Sequence, residues 1–348
     1  AKAASYAFLA GQHAAKQYSN QDAITFFTQA MELTPIDEQE KRYEILLARE
    51  AVYEVSALDR VKQQEDLTQL ANIAVQLDAL SKQASVGLRQ AQLFIRTGKY
   101  DEAIAVTKRV VEQGELLGDE LLVVEAHSEW GYAARTKGEY DVAKKHLEYS
   151  VQRLRELGNL QKLGYALNNL GILHSDMGKL EAEKLALEES LTIAEEINDV
   201  RLKSRLLNNL SIHFNLKGEY LLSQTYLKNG LQLYQEIGDS LGQGIAYVNM
   251  GLDAYQIGDY QTAYTYLTDS ATIFRQVNDP DGENLAFFFL ALVAEKRSEY
   301  RQSVKTLVEE GVKTARASRL IQDESERLGT LGLIFQQEKV YEKAHALF

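Results

Sequence analysis

The chain of 348 residues contains no cysteine and only two prolines. Without cysteine there are no disulfides, no thiolate metal sites and no cysteine nucleophile. So few prolines, together with the lack of strand-like runs of β-branched residues, point to an all-helical chain. No apolar stretch approaches the roughly 18 residues of a membrane span, and the N-terminus does not read as a secretory leader. Basic residues are in deficit: 38 Lys and Arg against 50 Asp and Glu give a net charge of −12. That balance argues against a nucleic-acid footprint and against an anionic membrane surface. These absences together suggest a cytoplasmic protein. The chain begins at Ala1 and stops at Ala346-Leu347-Phe348 inside a helical pattern, as expected for a piece of a longer polypeptide.

What is present is a period. Gly98, Gly138, Gly178, Gly218, Gly258, Ser298 and Glu338 stand forty residues apart. After the first six come Lys99-Tyr100, Glu139-Tyr140, Lys179-Leu180, Glu219-Tyr220, Asp259-Tyr260 and Glu299-Tyr300. A second ladder with the same step runs through Gly118-Asp119, Gly158-Asn159, Asn198-Asp199, Gly238-Asp239 and Asn278-Asp279. Two unlike turn signatures on one period mean a stacked repeat array. Between turns, apolar residues recur every three or four positions, as in Leu163, Ala166, Leu167, Leu170 and Leu173, then Leu187, Leu191 and Ala194. Each unit is therefore a hairpin of two helices, each about 16 residues or ~24 Å long.

Small residues share one register in the first helix (Gly131, Gly171, Ser211, Gly251, Ala291) and another in the second (Ala103, Ala143, Ala263, Ser303), where Glu183 and Ser223 depart. The tyrosines of the turn and Leu147, Leu187, Leu227, Leu267 and Leu307 are expected to fill the spaces between them as core. A lone hairpin cannot bury both of its apolar faces, so neighbours must stack.

Leu170-Gly171 with Gly178, and Leu210 with Gly218-Glu219-Tyr220 and the following small residues, resemble the tetratricopeptide repeat in its extended forty-residue form. The resemblance is strong over residues 84–300, with Met250 where the pattern has leucine. HEAT and armadillo arrays share the period but not the Gly-Glu-Tyr turn. The resemblance implies an all-α solenoid, a right-handed superhelix of about eight and a half repeats whose concave side is lined by first helices. Residues 1–348 are read as one array: divergent repeats over 1–78, regular ones over 79–317, and a divergent, truncated one over 318–348. In that last unit Leu331-Gly332 continues the pattern with one inserted residue. Ser5-Tyr6-Ala7-Phe8-Leu9-Ala10-Gly11, Asn20-Gln21-Asp22-Ala23-Ile24 and Leu46-Leu47-Ala48-Arg49-Glu50 add a narrower likeness. They resemble repeat regions that follow the ATPase module of large bacterial signalling proteins: cyclases, kinases or transcription activators.

The most specific polar feature is a ladder, Asn169, Asn209 and Asn249, with Asn168 and Asn208 preceding the first two. In the resemblance this register faces the concave side. An asparagine amide offers two donors and an acceptor, enough to bracket a peptide group of an extended ligand. The alternative is that each amide bonds a neighbouring helix or an orphan backbone group. Tyr132, Arg135, Tyr165 and Arg205 occupy neighbouring registers and complete the candidate protein- or peptide-binding set, with Arg89, Glu125, Asp176, Asn215 and Tyr255 nearby. Phe287-Phe288-Phe289 interrupts the ladder as either an apolar anchor or core.

No catalytic, cofactor or metal role emerges. Gly242-Gln243-Gly244 lacks a preceding strand and a third glycine, and no phosphate loop of the Gly-x-x-x-x-Gly-Lys type occurs. The six histidines look scattered; His174 and His213 are the pair whose register would make them neighbours. The expected partner is a protein or peptide in the groove, with no nucleic acid and no membrane. Attached signalling domains and self-association through the apolar end at Phe348 are the further expectations. The competing reading is a structural or oligomerisation element that packs against attached domains.

Overall fold

The computed structural model describes residues 2–17, 19–56, 59–317, 321–337 and 343. Among them every regular element is helical. The order opens α1 (Lys2–Lys16), α2 (Asn20–Glu32), α3 (Gln39–Ser56), α4 (Arg60–Gln76), α5 (Leu80–Arg96), α6 (Tyr100–Leu117), α7 (Glu120–Thr136), α8 (Tyr140–Glu156) and α9 (Leu160–Asp176). It continues α10 (Leu180–Glu196), α11 (Val200–Leu216), α12 (Tyr220–Glu236), α13 (Ser240–Gln256), α14 (Tyr260–Gln276), α15 (Pro280–Lys296), α16 (Arg301–Ala317) and α17 (Ile321–Gln337). A 3-10 turn, Ser298–Tyr300, precedes α16. Turn position Glu338 and Phe348 lie outside the described residues, as do Ala57 and Leu58. The chain divides into two compact units, one ending at Leu173 and the other beginning at His174.

In the first unit α1/α2, α3/α4, α5/α6 and α7/α8 pack as hairpins, and the first helices α5 and α7 also touch. In the second, α11/α12 and α13/α14 do so, while α11, α13, α15 and α17 contact one another in succession. Stacked hairpins, as expected from the period, account for the fold.

The backbone shows why the spacing is so strict. Asp78, Gly98, Gly118, Gly138, Gly158, Gly178, Asn198, Gly218, Gly238, Gly258 and Asn278 all have positive φ, between 49° and 83°. One left-handed residue thus ends a helix every twenty positions, where glycine is cheapest and asparagine or aspartate is tolerated. Most first helices are then capped by an acidic or amide side chain. Asp119, Asn159, Asp199 and Asp239 each accept a hydrogen bond from the backbone N–H three residues on.

The ladder breaks at Ser298. There the chain takes the 3-10 turn, and α16 starts at Arg301 instead of Tyr300. That one-residue slip exposes Ser303 and buries Val304 in its place. The same slip places Leu331-Gly332 one residue beyond the forty-residue register, so the inserted residue of the last unit falls at this turn.

Close packing explains the small residues. A Cβ on Gly131 would lie 2.7 Å from Leu147 Cγ, and one on Gly251 the same distance from Leu267 Cγ. Both leucines are fully buried, so each fills the notch its glycine leaves. The glycines of Gly242-Gln243-Gly244 also admit rings, Tyr234 against Gly242 and Phe274 against Gly244. The turn tyrosines are a correction to the expected core. Tyr100, Tyr220, Tyr260 and Tyr300 are half-buried and Tyr140 is 38% exposed, because each stands beside the solvent-facing turn. The phenylalanine triplet splits: Phe287 is core, Phe289 is half-buried against it and Phe288 is exposed.

Candidate peptide-binding face

The asparagine pairs on α9 and α11 divide by burial. Asn168 and Asn208 are 8% and 7% exposed, whereas Asn169 and Asn209 are half-buried, as is Asn249 on α13. Consecutive positions on a helix are 100° apart, so one amide turns toward the packed neighbour and the next stays reachable from solvent. In the second unit Asn249 Nδ2 donates to Asn208 Oδ1 at 2.9 Å, bridging α13 and α11.

Such bridges recur between first helices. Gln92 donates to Glu129 at 2.8 Å (α5 to α7), Asn215 to Asp253 at 2.6 Å (α11 to α13), and Asn284 to Glu326 at 2.9 Å (α15 to α17). Burial pushes the carboxyls of Glu129 and Asp253 above the usual carboxylate range, against the opposing effect of their hydrogen bonds.

Of the other candidate residues, Tyr165 and Asn169 come together in one cleft of about 200 Å³ between α7 and α9. Gln92, Glu125, Ser128, Glu129 and Lys162 also line it, and Lys162 pairs with Glu125 at 2.5 Å. Tyr132 lies beneath the Arg135 guanidinium, 5.1 Å from ring centroid to Cζ, so these two engage each other. Arg205 is exposed on α11. Arg89 is committed to Glu50 at 2.7 Å and Glu54 at 3.5 Å.

A second cleft, of about 430 Å³, opens between α15 and α17 in the other unit. Asp281, Asn284, Leu285, Phe288, Glu326, Gly329, Thr330 and Leu333 line it. Asn284, Leu285 and Phe288 stand four forty-residue periods beyond Val124, Glu125 and Ser128 of the first cleft. Equivalent positions of the repeat thus form a cleft in each unit.

Several polar groups escaped sequence reasoning. His127 and His146 face each other across the α7/α8 hairpin, Nδ1 to Nδ1 at 2.7 Å, with Trp130 stacked on His146 at 3.9 Å. Burial, then neighbouring His127 and Lys145, pushes His146 down to about 4. Their positions mirror one another about the turn at Gly138, the signal that a hairpin pairing would have supplied. His213 Nδ1 hydrogen-bonds Glu183 Oε2 at 3.0 Å, both groups being buried. Glu183 is one departure from the alanine register and Ser223 is the other; Ser223 hydrogen-bonds buried Asp253, thirty residues on like His213 from Glu183. Each departure is matched by a polar partner on the next first helix. Among the described residues no three His, Asp or Glu side chains gather to hold a metal ion, and no helix is long and apolar enough to cross a membrane.

A sequence model of the tetratricopeptide repeat matches residues 202–276. A model of anaphase-promoting complex subunit 5 matches 131–220 and 245–322. The first match falls on hairpins whose turns, notches and caps are those described above. Residues 202–276 are tetratricopeptide repeats, set among stacked hairpins of the same kind. No curated protein matches its sequence. Among solved structures, the signal transduction ATPase with numerous domains and a tetratricopeptide repeat sensor from Pyrococcus horikoshii superposes with a TM-score of 0.65 at 13% identity. The match covers 94% of this chain and 51% of that one, so this chain spans about half the length of that protein. The apo quorum sensor NprR from B. thuringiensis gives 0.60 at 13% identity, covering 99% and 96%. A Rap protein complexed with competence and sporulation factor gives 0.58 at 15%, covering 90% and 96%. At such identities the likeness is one of fold.

Proposed function

We propose that this chain is a non-catalytic binding module that holds a segment of a protein or peptide on the face formed by its first helices. The observation that carries this reading is the recurrence of a cleft at equivalent repeat positions, between α7 and α9 and between α15 and α17. A repeat array presents one surface many times, and a ligand with a backbone period of its own suits such a surface. The half-buried amides Asn169, Asn209 and Asn249 are the groups assigned to the ligand backbone, each able to offer a donor and an acceptor. Asn168, Asn208, Tyr132 and Arg135 support them, and Tyr165 and Arg205 supply side-chain contacts.

The solved relatives supply context. One carries a tetratricopeptide repeat sensor, one is a quorum sensor and one holds a bound factor. By analogy the chain serves as the sensing arm of a larger bacterial signalling protein in the cytoplasm, biasing attached domains when occupied.

The test is selection of peptides on the intact chain from a random display library, followed by titration of a selected peptide. The reading expects triple substitution of Asn169, Asn209 and Asn249 by Ala to weaken binding by about tenfold or more with the helical signal unchanged. Unchanged affinity would remove this face from the account.

A further inference from the structure

We infer that the cleft between α15 and α17 takes a large apolar side chain of a peptide whose flanking residues are basic. This deepens the reading above and rests on it. The cleft differs from its equivalent in the first unit in chemistry, not in position. Where the first has Glu125 and Ser128, this one has Leu285 and Phe288, 47% and 42% exposed. Leu333 of α17 closes the apolar wall. On the preceding first helix α13, Leu241 and Ile245 are also exposed, and Ile245 shares the register of Leu285. Exposed apolar side chains grouped in a concavity mark a binding site more than scattered ones do.

Charge chooses the occupant. Asp281 and Glu326 are the ionisable side chains of the lining, both carboxylates, and there is no cation among them. Arg327, next in sequence to Glu326, is buried and held by Glu283 at 2.7 Å, Asn284 at 2.6 Å and the Gly311 carbonyl at 2.7 Å, so it stiffens the wall from behind instead of meeting a ligand. Asn284 passes this order outward, donating to Glu326 at 2.9 Å and fixing that carboxylate at the rim. An apolar floor with an anionic rim complements a Phe or Leu set between Lys or Arg residues.

Fluorescence anisotropy on the intact chain tests this with three fluorescein-labelled synthetic peptides. One carries Phe-Leu between lysine pairs, one has Glu for each Lys, and one has Ala for Phe and Leu. The lysine-flanked peptide is expected to bind roughly tenfold or more tightly than either control and to weaken as salt rises. Leu285→Asn and Phe288→Ser are each expected to cost a similar factor, while Leu185→Ser, at an exposed apolar position of the second helix α10, leaves this peptide's affinity unchanged. Both apolar substitutions lie at exposed positions, and a thermal midpoint matching the parent certifies the fold. Equal binding of the lysine- and glutamate-flanked peptides, or affinity indifferent to both substitutions, overturns the inference. Self-association that Phe288→Ser abolishes, seen by sedimentation without peptide, also overturns it, because a second copy would then be the occupant. Library peptides that depend on Asn169 or Asn209 but not on Phe288 sink this inference and leave the broader reading standing.

Discussion

Asn249 and Asn208 are joined side chain to side chain, Nδ2 to Oδ1 at 2.9 Å, and so tie α13 to α11. One amide of the ladder therefore holds the array together as well as facing outward. Asn249→Ala leaves the buried Asn208 oxygen without this donor. The expected loss is about 1–2 kcal/mol of unfolding free energy, a hydrogen bond plus part of a desolvation penalty. Urea denaturation of the single and double variants at these positions measures it, and the double-mutant cycle isolates the coupling.

His213 and Glu183 form a buried polar pair where the same registers elsewhere carry Ala143 and Leu173. Glu183→Ala alone strands a buried imidazole and is expected to cost about 3 kcal/mol. Combining it with His213→Leu restores the apolar combination of the neighbouring repeat. That double variant is expected to recover most of the loss, which thermal unfolding would show.

Gly131 illustrates the packing limit. Its missing Cβ leaves the space that Leu147 occupies, so Gly131→Ala is expected to destabilise by about 1–3 kcal/mol through overpacking, despite alanine's better helix propensity. Adding Leu147→Val to relieve the clash is expected to return part of it.

The imidazole pair gives a pH dependence of definite sign. His146 falls from its ordinary 6.5 to about 4, with burial first, then His127, Lys145 and Lys108 as causes. Proton uptake is thus favoured in the unfolded chain. The contribution is fully present above pH 6.5 and is lost as pH falls toward 4. Urea midpoints at pH 7 and pH 5 are expected to differ less in His146→Phe than in the parent.

How much of this could be read from the chain follows from what repeats. The left-handed turns, the Gly131/Leu147 notch and the capping aspartates recur at fixed spacing, so the period exposes them. Contacts made once leave no such trace. His127 and His146 meet only because a hairpin folds them together, and Glu183 looked like an exception until His213 supplied its partner. The 3-10 turn at Ser298 was hidden because Glu299-Tyr300 keeps the expected letters while the backbone slips by one residue. The ladder itself was visible, but burial separates Asn208 from Asn209 in a way no spacing reveals.

The central claim is that the first helices present the binding face. Hydrogen–deuterium exchange of the intact chain with and without a saturating library-selected peptide tests it most directly. The account predicts added protection in first helices, α7 and α9 or α11, α13 and α15, with the second helices α8, α12 and α14 unchanged. Protection concentrated on those second helices would contradict it.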